Sequence, residues 1–253
     1  MENYQLKRGL LVKTFGSSIG AQPKYYKNGY WYKENFRGYE AKSEWIVSQL
    51  LSCSDVPYYV VYEECQINGK NGCRSKSFTS ENETFVSFQK LYSTWYGGEL
   101  EGHLTTLESP EERIEFVKTM LLDNTGLDIT SYLSQTLTLD MITLNPDRHM
   151  NNLGLIYNAE TEEYRTAPIF DNGAALCSNL GHFPPDLPLD ELIEKVSGRP
   201  FSSSLELQAH VAGFGLKINI GKFQEIIHSV PQHRAISLLE IQLKKYRHIV
   251  ELT

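Results

Sequence analysis

The chain has 253 residues, enough for one large domain or two smaller lobes, and its 41% hydrophobic and 22% charged residues are typical of a globular protein. This composition excludes wholesale disorder and fibrous repeats. Because no apolar run reaches about eighteen residues, we expect no membrane span and no membrane partner. The four cysteines form no C-x-x-C pair and the apolar core of the N-terminus is too short for a signal peptide, which predicts a soluble, cytoplasmic protein of a reducing compartment.

Charge is distributed unevenly along the chain, and the net charge of −7 argues against nucleic-acid binding over the whole surface. Residues 1–48 carry eight Lys/Arg against four Asp/Glu, whereas residues 97–163 carry thirteen Asp/Glu against three Lys/Arg. A basic first segment suits a bound anion and an acidic middle suits metal cations, although two differently solvated surfaces would explain the same counts. We expect no direct nucleic-acid partner.

The first 80 residues are predicted to be mostly strand, because aromatic and β-branched runs alternate there with turn dipeptides. The strongest local signal is Asn28-Gly29 between two aromatic runs, which predicts a tight hairpin. In chain order, the predicted elements are a strand over residues 9–15, the hairpin over 24–33, a helix over 40–51, a strand over 57–67, and turns at Asn68-Gly69 and Asn71-Gly72.

The remainder is predicted to be mainly helical. Ser109 followed by Pro110 and two acids is a good helix start, because serine caps free N–H groups and the acids face the positive end of the helix dipole. The predicted elements are a helix from Pro110 to about Leu122, a helix capped by Asp128 and running toward Leu144, a break at Asn145-Pro146, strands over residues 153–157 and 164–169, and three or four closing helices of which the last spans 232–251. The predicted boundary lies near residues 78–85, between an N-lobe of residues 1–80 and a C-lobe of residues 81–253.

Two motifs of the middle region carry chemistry. Asp147 precedes Asn152 by five residues in a predicted loop between a helix and a strand, which is the D-x-x-x-x-N spacing of a kinase catalytic loop. Asp171 follows 24 residues after Asp147, behind a predicted hairpin, where kinases place a metal-binding aspartate. Each motif alone also fits an ordinary turn. Together, in this order, they favour a site in which one aspartate accepts a hydroxyl proton and the other two side chains bind magnesium.

The third motif is the Gly- and Ser-rich loop over residues 16–24, whose backbone N–H groups can bind phosphate oxygens. Lys33 closes the hairpin after this loop, where a kinase lysine reaches the nucleotide phosphates. Glu40 or Glu44 on the following helix could pair with it, because the two lie one helical turn apart.

The motifs S-S-I-G-A-Q-P-K, Y-W-Y-K, Y-E-A-K-S-E-W, N-P-D-R-H-M-N-N-L-G and I-F-D-N-G together resemble the HipA-like serine/threonine kinases over residues 15–178. The resemblance implies a role for each matching position. It implies Asp147 as catalytic base, Asn152 and Asp171 as magnesium ligands, Lys33 as nucleotide lysine with Glu44 as its partner, Ser17, Ser18, Gly20 and Gln22 as nucleotide-binding residues, and an adenine-binding hinge around residues 73–78.

The resemblance also implies a fold and an activity. The expected fold is α+β and two-lobed like a protein kinase, with a small β-rich N-lobe and a larger α-rich C-lobe. The expected activity is transfer of phosphate from ATP, with Mg²⁺, to a serine or threonine of a protein, in a toxin-type or effector role. Alternatives are a catalytically silent nucleotide-binding antitoxin or scaffold module, and a small-molecule or lipid kinase of the same fold.

Two further expectations rest on the family. Longer members carry an N-terminal β subdomain that contacts an antitoxin, and since this sequence begins almost at the loop, it resembles the short, stand-alone members and leaves an antitoxin partner open. A family serine three residues before the loop glycine is autophosphorylated, and Ser17 stands three residues before Gly20 here, with Ser18 adjacent. A phosphoserine would add about −1.5 to −2 charges where ATP phosphates bind, so we expect phosphorylation to switch the kinase off.

Overall fold

The computed structural model describes residues 1–7 and 22–252. The predicted strand over residues 9–15 and the loop residues Ser17, Ser18 and Gly20 therefore lie outside the described residues. The fold is a mixed α+β arrangement of two β-sheets and a set of helices.

The first sheet has five described strands in the order β1-β4-β5-β3-β2. They are β1 (Asn3–Tyr4), β2 (Lys24–Lys27), β3 (Tyr30–Glu34), β4 (Glu63–Ile67) and β5 (Lys70–Lys76). The predicted hairpin at Asn28-Gly29 is confirmed: both residues have positive φ, 52° and 80°, and Lys27 pairs with Tyr30. Left-handed backbone at both central positions matches the twist of the flanking strands, which is why this dipeptide is favoured.

The predicted helix α1 (Glu40–Leu51) is confirmed at both ends. Glu40, the first residue of the helix, stabilises its N-terminal end. Its carboxylate accepts hydrogen bonds from the backbone N–H groups of Arg37 (2.7 Å) and Gly38 (3.2 Å). Ile46 and Leu50 are fully buried in the main core. The helix packs beside β4 and β5, and Glu44 contacts Lys33 of β3.

Of the predictions for residues 57–76, one strand is confirmed only in part and one turn is wrong. The strand predicted over residues 57–67 is limited to β4, because residues 57–62 leave the sheet and Val60 and Tyr58 exchange backbone hydrogen bonds with Ile169 instead. The turn predicted at Asn71-Gly72 lies inside β5. Glycine is required there for close packing, since a Cβ on Gly72 would lie 2.5 Å from the carbonyl oxygen of Lys33.

The second sheet has the order β6-β7-β8 and lies among the helices. Its strands are β6 (Glu83–Ser87), β7 (Gly154–Asn158) and β8 (Glu163–Thr166). The described helices after α1 are α2 (Phe88–Trp95), α3 (Leu100–Leu104), α4 (Pro110–Thr125), α5 (Thr130–Thr143), α6 (Leu189–Glu194), α7 (Leu205–Ala212), α8 (Ile220–His228), α9 (Arg234–Lys245) and α10 (Arg247–Val250).

The helices predicted in this region are confirmed, and their ends differ by a few residues from the predicted ones. The Ser109 side chain accepts a hydrogen bond from the Glu112 N–H at the start of α4, which runs one turn beyond the predicted end. Asp128 accepts from the Thr130 N–H at the start of α5. The single closing helix predicted over 232–251 is divided at Tyr246 into α9 and α10.

The turn after α5 positions the predicted catalytic loop. Leu144 adopts a left-handed conformation with φ of 54°, which ends the helix and directs residues 145–152 toward β7. Helix α5 itself is buried almost all round, against α7 and α9. The loop therefore rests on a helix that is buried on nearly every side.

Within residues 1–7 and 22–252, no helix combines the length and apolarity needed to cross a membrane. Strand β6 pairs with β7 rather than with the first sheet, so the change from one sheet to the other falls between residues 76 and 83. The division into lobes at residue 80 stays a prediction.

Candidate active site

Arg148, next to the predicted catalytic aspartate, anchors the loop. It is fully buried and forms an ion pair with Asp140 of α5, with Nη2 to Oδ1 at 2.9 Å and Nε to Oδ2 at 3.0 Å. Its guanidinium also donates to the Phe170 carbonyl oxygen at 2.7 Å and to Asn172 Oδ1 at 2.6 Å. One side chain thus joins the loop at Asp147 to the segment that carries Asp171 and orients the two relative to each other.

A buried ion cluster lies where the first sheet, α1 and the segment around Asp171 meet. The Lys33 Nζ is 2.7 Å from Glu44 Oε1 and 2.7 Å from Asp171 Oδ1. Glu40 is occupied with the backbone at the start of α1, so the choice that the sequence leaves open is resolved in favour of Glu44. Lys24, which pairs with Lys33 across the hairpin, lies 3.7 Å from the other oxygen of Asp171.

The charges of this cluster shift one another's ionisation. Burial by itself would lower the pKa of Lys33, but the carboxylates of Asp171 and Glu44 raise that pKa well above its ordinary value. Burial would raise the pKa of Asp171, yet Lys24 and Lys33 hold that pKa far below its usual range. Burial raises the pKa of Glu44 despite its contact with Lys33, since Asp171 adds a second negative charge nearby. Lys33 and Asp171 are therefore charged at neutral pH.

Tyr62 is a member of this cluster that the sequence analysis missed. Its hydroxyl accepts a hydrogen bond from the Asp171 N–H at 3.3 Å, and Lys33 Nζ lies 3.5 Å from the same oxygen. Asp171 has a φ of 58°, which a non-glycine residue adopts only when its surroundings hold it there. Glu44 adds a second restraint by accepting from the Asn172 N–H at 2.8 Å. No local motif marks Tyr62, because its partner is 109 residues away.

Asp147 and Asn152 line a polar cleft together with Asp171. Asn152 is buried, and its Nδ2 donates to the Asp147 carbonyl oxygen at 3.3 Å, while its Oδ1 has no hydrogen-bond partner. A buried amide oxygen without a donor is costly unless a ligand satisfies it. Together with the Asp171 carboxylate it provides the hard oxygen ligands that Mg²⁺ prefers, so the residues fit the expected metal. The described residues contain no cluster of three His, Cys, Asp or Glu that could hold a metal by themselves.

Two adjoining cavities meet at Lys24 and Asp171, which line both. The polar cleft has a volume of about 470 Å³. The second cavity, of about 300 Å³, is mainly apolar, and Phe78, Phe85 and Phe170 form a wall of mutually contacting rings with centroids 5.2 to 5.8 Å apart. Ser77 and Thr79 also line the apolar cavity, so the hinge predicted around residues 73–78 lies beside it. The first residues of this predicted hinge belong to strand β5.

The structure brings most of the predicted site residues together. Lys33, Glu44 and Asp171 are in direct contact, and Asp147 and Asn152 share the polar cleft with Asp171. Gln22 lines the same cleft and donates from Nε2 to the Glu34 carbonyl oxygen at 2.8 Å. Lys24 is a second residue of the site to which the sequence analysis assigned no role. It is the last residue of the motif S-S-I-G-A-Q-P-K, and the predicted hairpin already places it opposite Lys33.

Comparison with known proteins gives matches in structure alone. No protein-family model matches the sequence, and no curated protein matches it. The chain is similar to the crystal structure of the proinflammatory kinase CtkA from Helicobacter pylori, with a TM-score of 0.65 and 16% identity over 98% of this chain and 94% of that chain.

A second similar structure is HipA of a toxin–antitoxin system from Shewanella oneidensis MR-1, in complex with HipB and operator DNA. Its TM-score is 0.42, with 11% identity over 95% of this chain and 66% of that chain. The expectation of no nucleic-acid partner is not borne out by either structure and stays a prediction. The chain has the kinase-like α+β fold of CtkA.

Proposed function

We propose that the protein is an ATP- and magnesium-dependent kinase that phosphorylates a serine or threonine hydroxyl of a protein substrate. The observation that carries the proposal is the Lys33 ammonium, buried and 2.7 Å from both Glu44 and Asp171. Burial of a cation between two carboxylates costs desolvation free energy, and such clusters of buried charge are typical of functional sites. A buried ammonium group at this position suits the binding of a polyanionic ligand. Lys33 lines the apolar cavity and contacts Asp171, where that cavity meets the polar cleft, and this arrangement fits a nucleotide with an apolar base and charged phosphates.

The two cavities suit the two halves of the nucleotide. The aromatic wall of the apolar cavity offers stacking and dispersion contacts for adenine. Lys33 and Lys24 supply positive charge for the phosphates at the border of the polar cleft. Asp171 and Asn152 would hold the metal, and bound Mg²⁺ would supply charge neutralisation at the phosphate oxygens.

Asp147 is the proposed general base. Its side chain is 45% exposed in the polar cleft, where a hydroxyl from another protein can reach it. The hydroxyl oxygen bonds to the γ-phosphorus and its proton passes to Asp147, while the bond from phosphorus to the β–γ bridging oxygen breaks and its electron pair leaves with ADP. A positioned base contributes about 10²–10⁴-fold, and Arg148 keeps Asp147 in place by its contacts with Asp140 and residues 170–172.

The experiment combines binding and transfer. Thermal unfolding is recorded with ATP, with Mg²⁺ and with both, and transfer is measured with γ-labelled ATP on the protein alone. We expect stabilisation that requires both, and labelled protein. Stabilisation without any transfer would support a silent nucleotide-binding module instead, and ATP consumption that labels only small molecules or lipids would support the small-molecule alternative.

The protein substrate is identified by phosphopeptide mass spectrometry after expression of the wild type and of Asp147→Ala. Phosphosites on serine and threonine that need Asp147 are expected. A toxin-type or effector role and an antitoxin partner remain part of this proposal through the family resemblance. Growth arrest on expression of the wild type but not of Asp147→Ala would support the toxin-type role.

A further inference from the structure

An arginine that no sequence motif marks faces the predicted catalytic base. Arg199 lies between α6 and α7, and its Nη2 forms an ion pair with Asp147 Oδ1. Both side chains are about half exposed, 43% for Arg199 and 45% for Asp147, and both line the polar cleft. An ion pair this exposed contributes little stability, so holding the fold together does not explain it.

The backbone that carries Arg199 is firmly held. Gln208 of α7 is fully buried, donates from Nε2 to the Arg199 carbonyl oxygen at 3.3 Å and accepts from the Ser202 N–H at 3.4 Å. Phe201 is fully buried, and its carbonyl oxygen accepts from Arg113 Nη1 at 2.9 Å. Arg199 is therefore presented to the cleft from a fixed loop, as a positioned functional side chain requires.

The guanidinium of Arg199 keeps most of its hydrogen-bonding capacity. It has five N–H donors, and its Nε is buried without a partner. Arg148, the neighbouring arginine, is fully engaged with Asp140, Phe170 and Asn172. Lys24 and Lys33 lie at Asp171, on the opposite side of the transfer path from Asp147 in the proposed function. Arg199 thus adds positive charge at the acceptor end of the cleft.

We propose that Arg199 is a catalytic residue that binds the γ-phosphoryl group during its transfer, an inference that rests on the proposed kinase function. In the transition state, negative charge spreads over three equatorial oxygens of the transferring group, and a planar guanidinium can contact two of them at once. When ATP is bound, Arg199 exchanges Asp147 for these oxygens. Asp147 Oδ1 is then free to take the proton of the acceptor hydroxyl as the new P–O bond forms and ADP leaves.

The test compares full-length wild type with Arg199→Ala and Arg199→Lys, with Lys195→Ala as the control. Lys195 is an exposed cation four residues away at the end of α6, and it does not line the cleft. Autophosphorylation is followed over a range of ATP concentrations up to saturation. We expect the rate constant of Arg199→Ala to fall about 10²-fold or more while the KM for ATP stays within about threefold, because the lost contact forms chiefly in the transition state. Lys195→Ala should match the wild type, and Arg199→Lys should recover part of the rate.

A second measurement needs no acceptor. The affinities for MgADP and for MgADP with aluminium fluoride, a mimic of the transferring group, are compared by titration. Wild type should bind the fluoride complex more tightly than MgADP, and Arg199→Ala should lose this gain while it keeps its affinity for MgADP. Unfolding temperatures within about 2 °C of each other are expected, since the exposed pair adds little stability; if Arg199→Ala unfolds, Arg199→Gln takes its place in both measurements.

Three results would overturn the assignment. A higher rate in Arg199→Ala would mean that the contact between Arg199 and Asp147 inhibits phosphate transfer. An unchanged rate would make it a surface ion pair, and a raised KM with an unchanged rate constant would make Arg199 a ground-state binding residue. Failure of the wild type to bind MgATP or to transfer phosphate would instead remove the proposed function itself, and the inference with it.

Discussion

Replacement of Lys33 by methionine tests the buried ion cluster on which the proposed nucleotide site depends. Methionine matches the length of the lysine stem but removes its charge, so Glu44 is left buried with no cation in contact. Asp171 keeps Lys24 at 3.7 Å and is partly compensated. The perturbation therefore falls mainly on Glu44.

The expected magnitude follows from burial. Removal of one partner from a buried pair costs about 3–5 kcal/mol, and because Lys24 remains we expect the lower end, about 3 kcal/mol. For a chain of this size that corresponds to a fall of about 6–12 °C in the unfolding temperature. Lys42→Met is the matched control: its ion pair with Glu64 is about a quarter exposed, and its loss should cost about 1 kcal/mol or less.

The assay is urea unfolding of the wild type, Lys33→Met, Glu44→Gln and the double variant. Glutamine keeps an oxygen that can accept from the Asn172 N–H, so the double variant removes the uncompensated charge and should be more stable than Lys33→Met by about 1 kcal/mol or more. If Lys33→Met loses no more free energy of unfolding than an ordinary surface variant, within about 0.5 kcal/mol, the buried cluster does not exist as described.

Three other predictions, two of them on variants and one on the wild type, have distinct expected outcomes. Asp171→Ala should weaken the magnesium-dependent part of ATP affinity, and an unchanged magnesium dependence would assign this residue to the turn alone. Arg148→Ala should cost about 3–5 kcal/mol in urea unfolding because it strands the buried Asp140 carboxylate, and a loss below about 1 kcal/mol would contradict its anchoring role. Active wild type incubated with ATP should carry phosphate at Ser17, and intact-mass and peptide analysis that finds none on residues 16–24 would remove the proposed switch.

The predictions from sequence succeeded where the physical cause is local. Asn28-Gly29 forms its hairpin because both residues accept left-handed backbone, and Ser109 starts α4 by binding a free N–H group. The same local chemistry misled at Asn71-Gly72, where glycine serves a close approach to β3 rather than a turn. Local signals thus indicate which backbone conformations a residue allows, while packing against distant strands decides which of them it adopts.

The residues of the candidate site show the same distinction between local and distant causes. Asp147, Asn152 and Asp171 are recognisable because their roles require a set spacing along the chain. Tyr62 and Arg199 are not, since each meets its partner through folding across about fifty to a hundred residues, and nothing in the surrounding sequence marks the contact. The pairing of Lys33 with Glu44 rather than Glu40 also required the structure, because both lie on the first turns of one helix.

The most direct test of the central claim is phosphate transfer by the wild type and by Asp147→Asn, measured with γ-labelled ATP and Mg²⁺ on purified protein alongside ATP affinity. Asparagine preserves the size of the side chain but cannot accept the hydroxyl proton as a carboxylate does. We expect labelled wild type, a loss of about 10²-fold or more in the variant, and equal ATP affinity in both. Transfer by Asp147→Asn within about tenfold of the wild type, below the range for loss of a general base, would contradict the account.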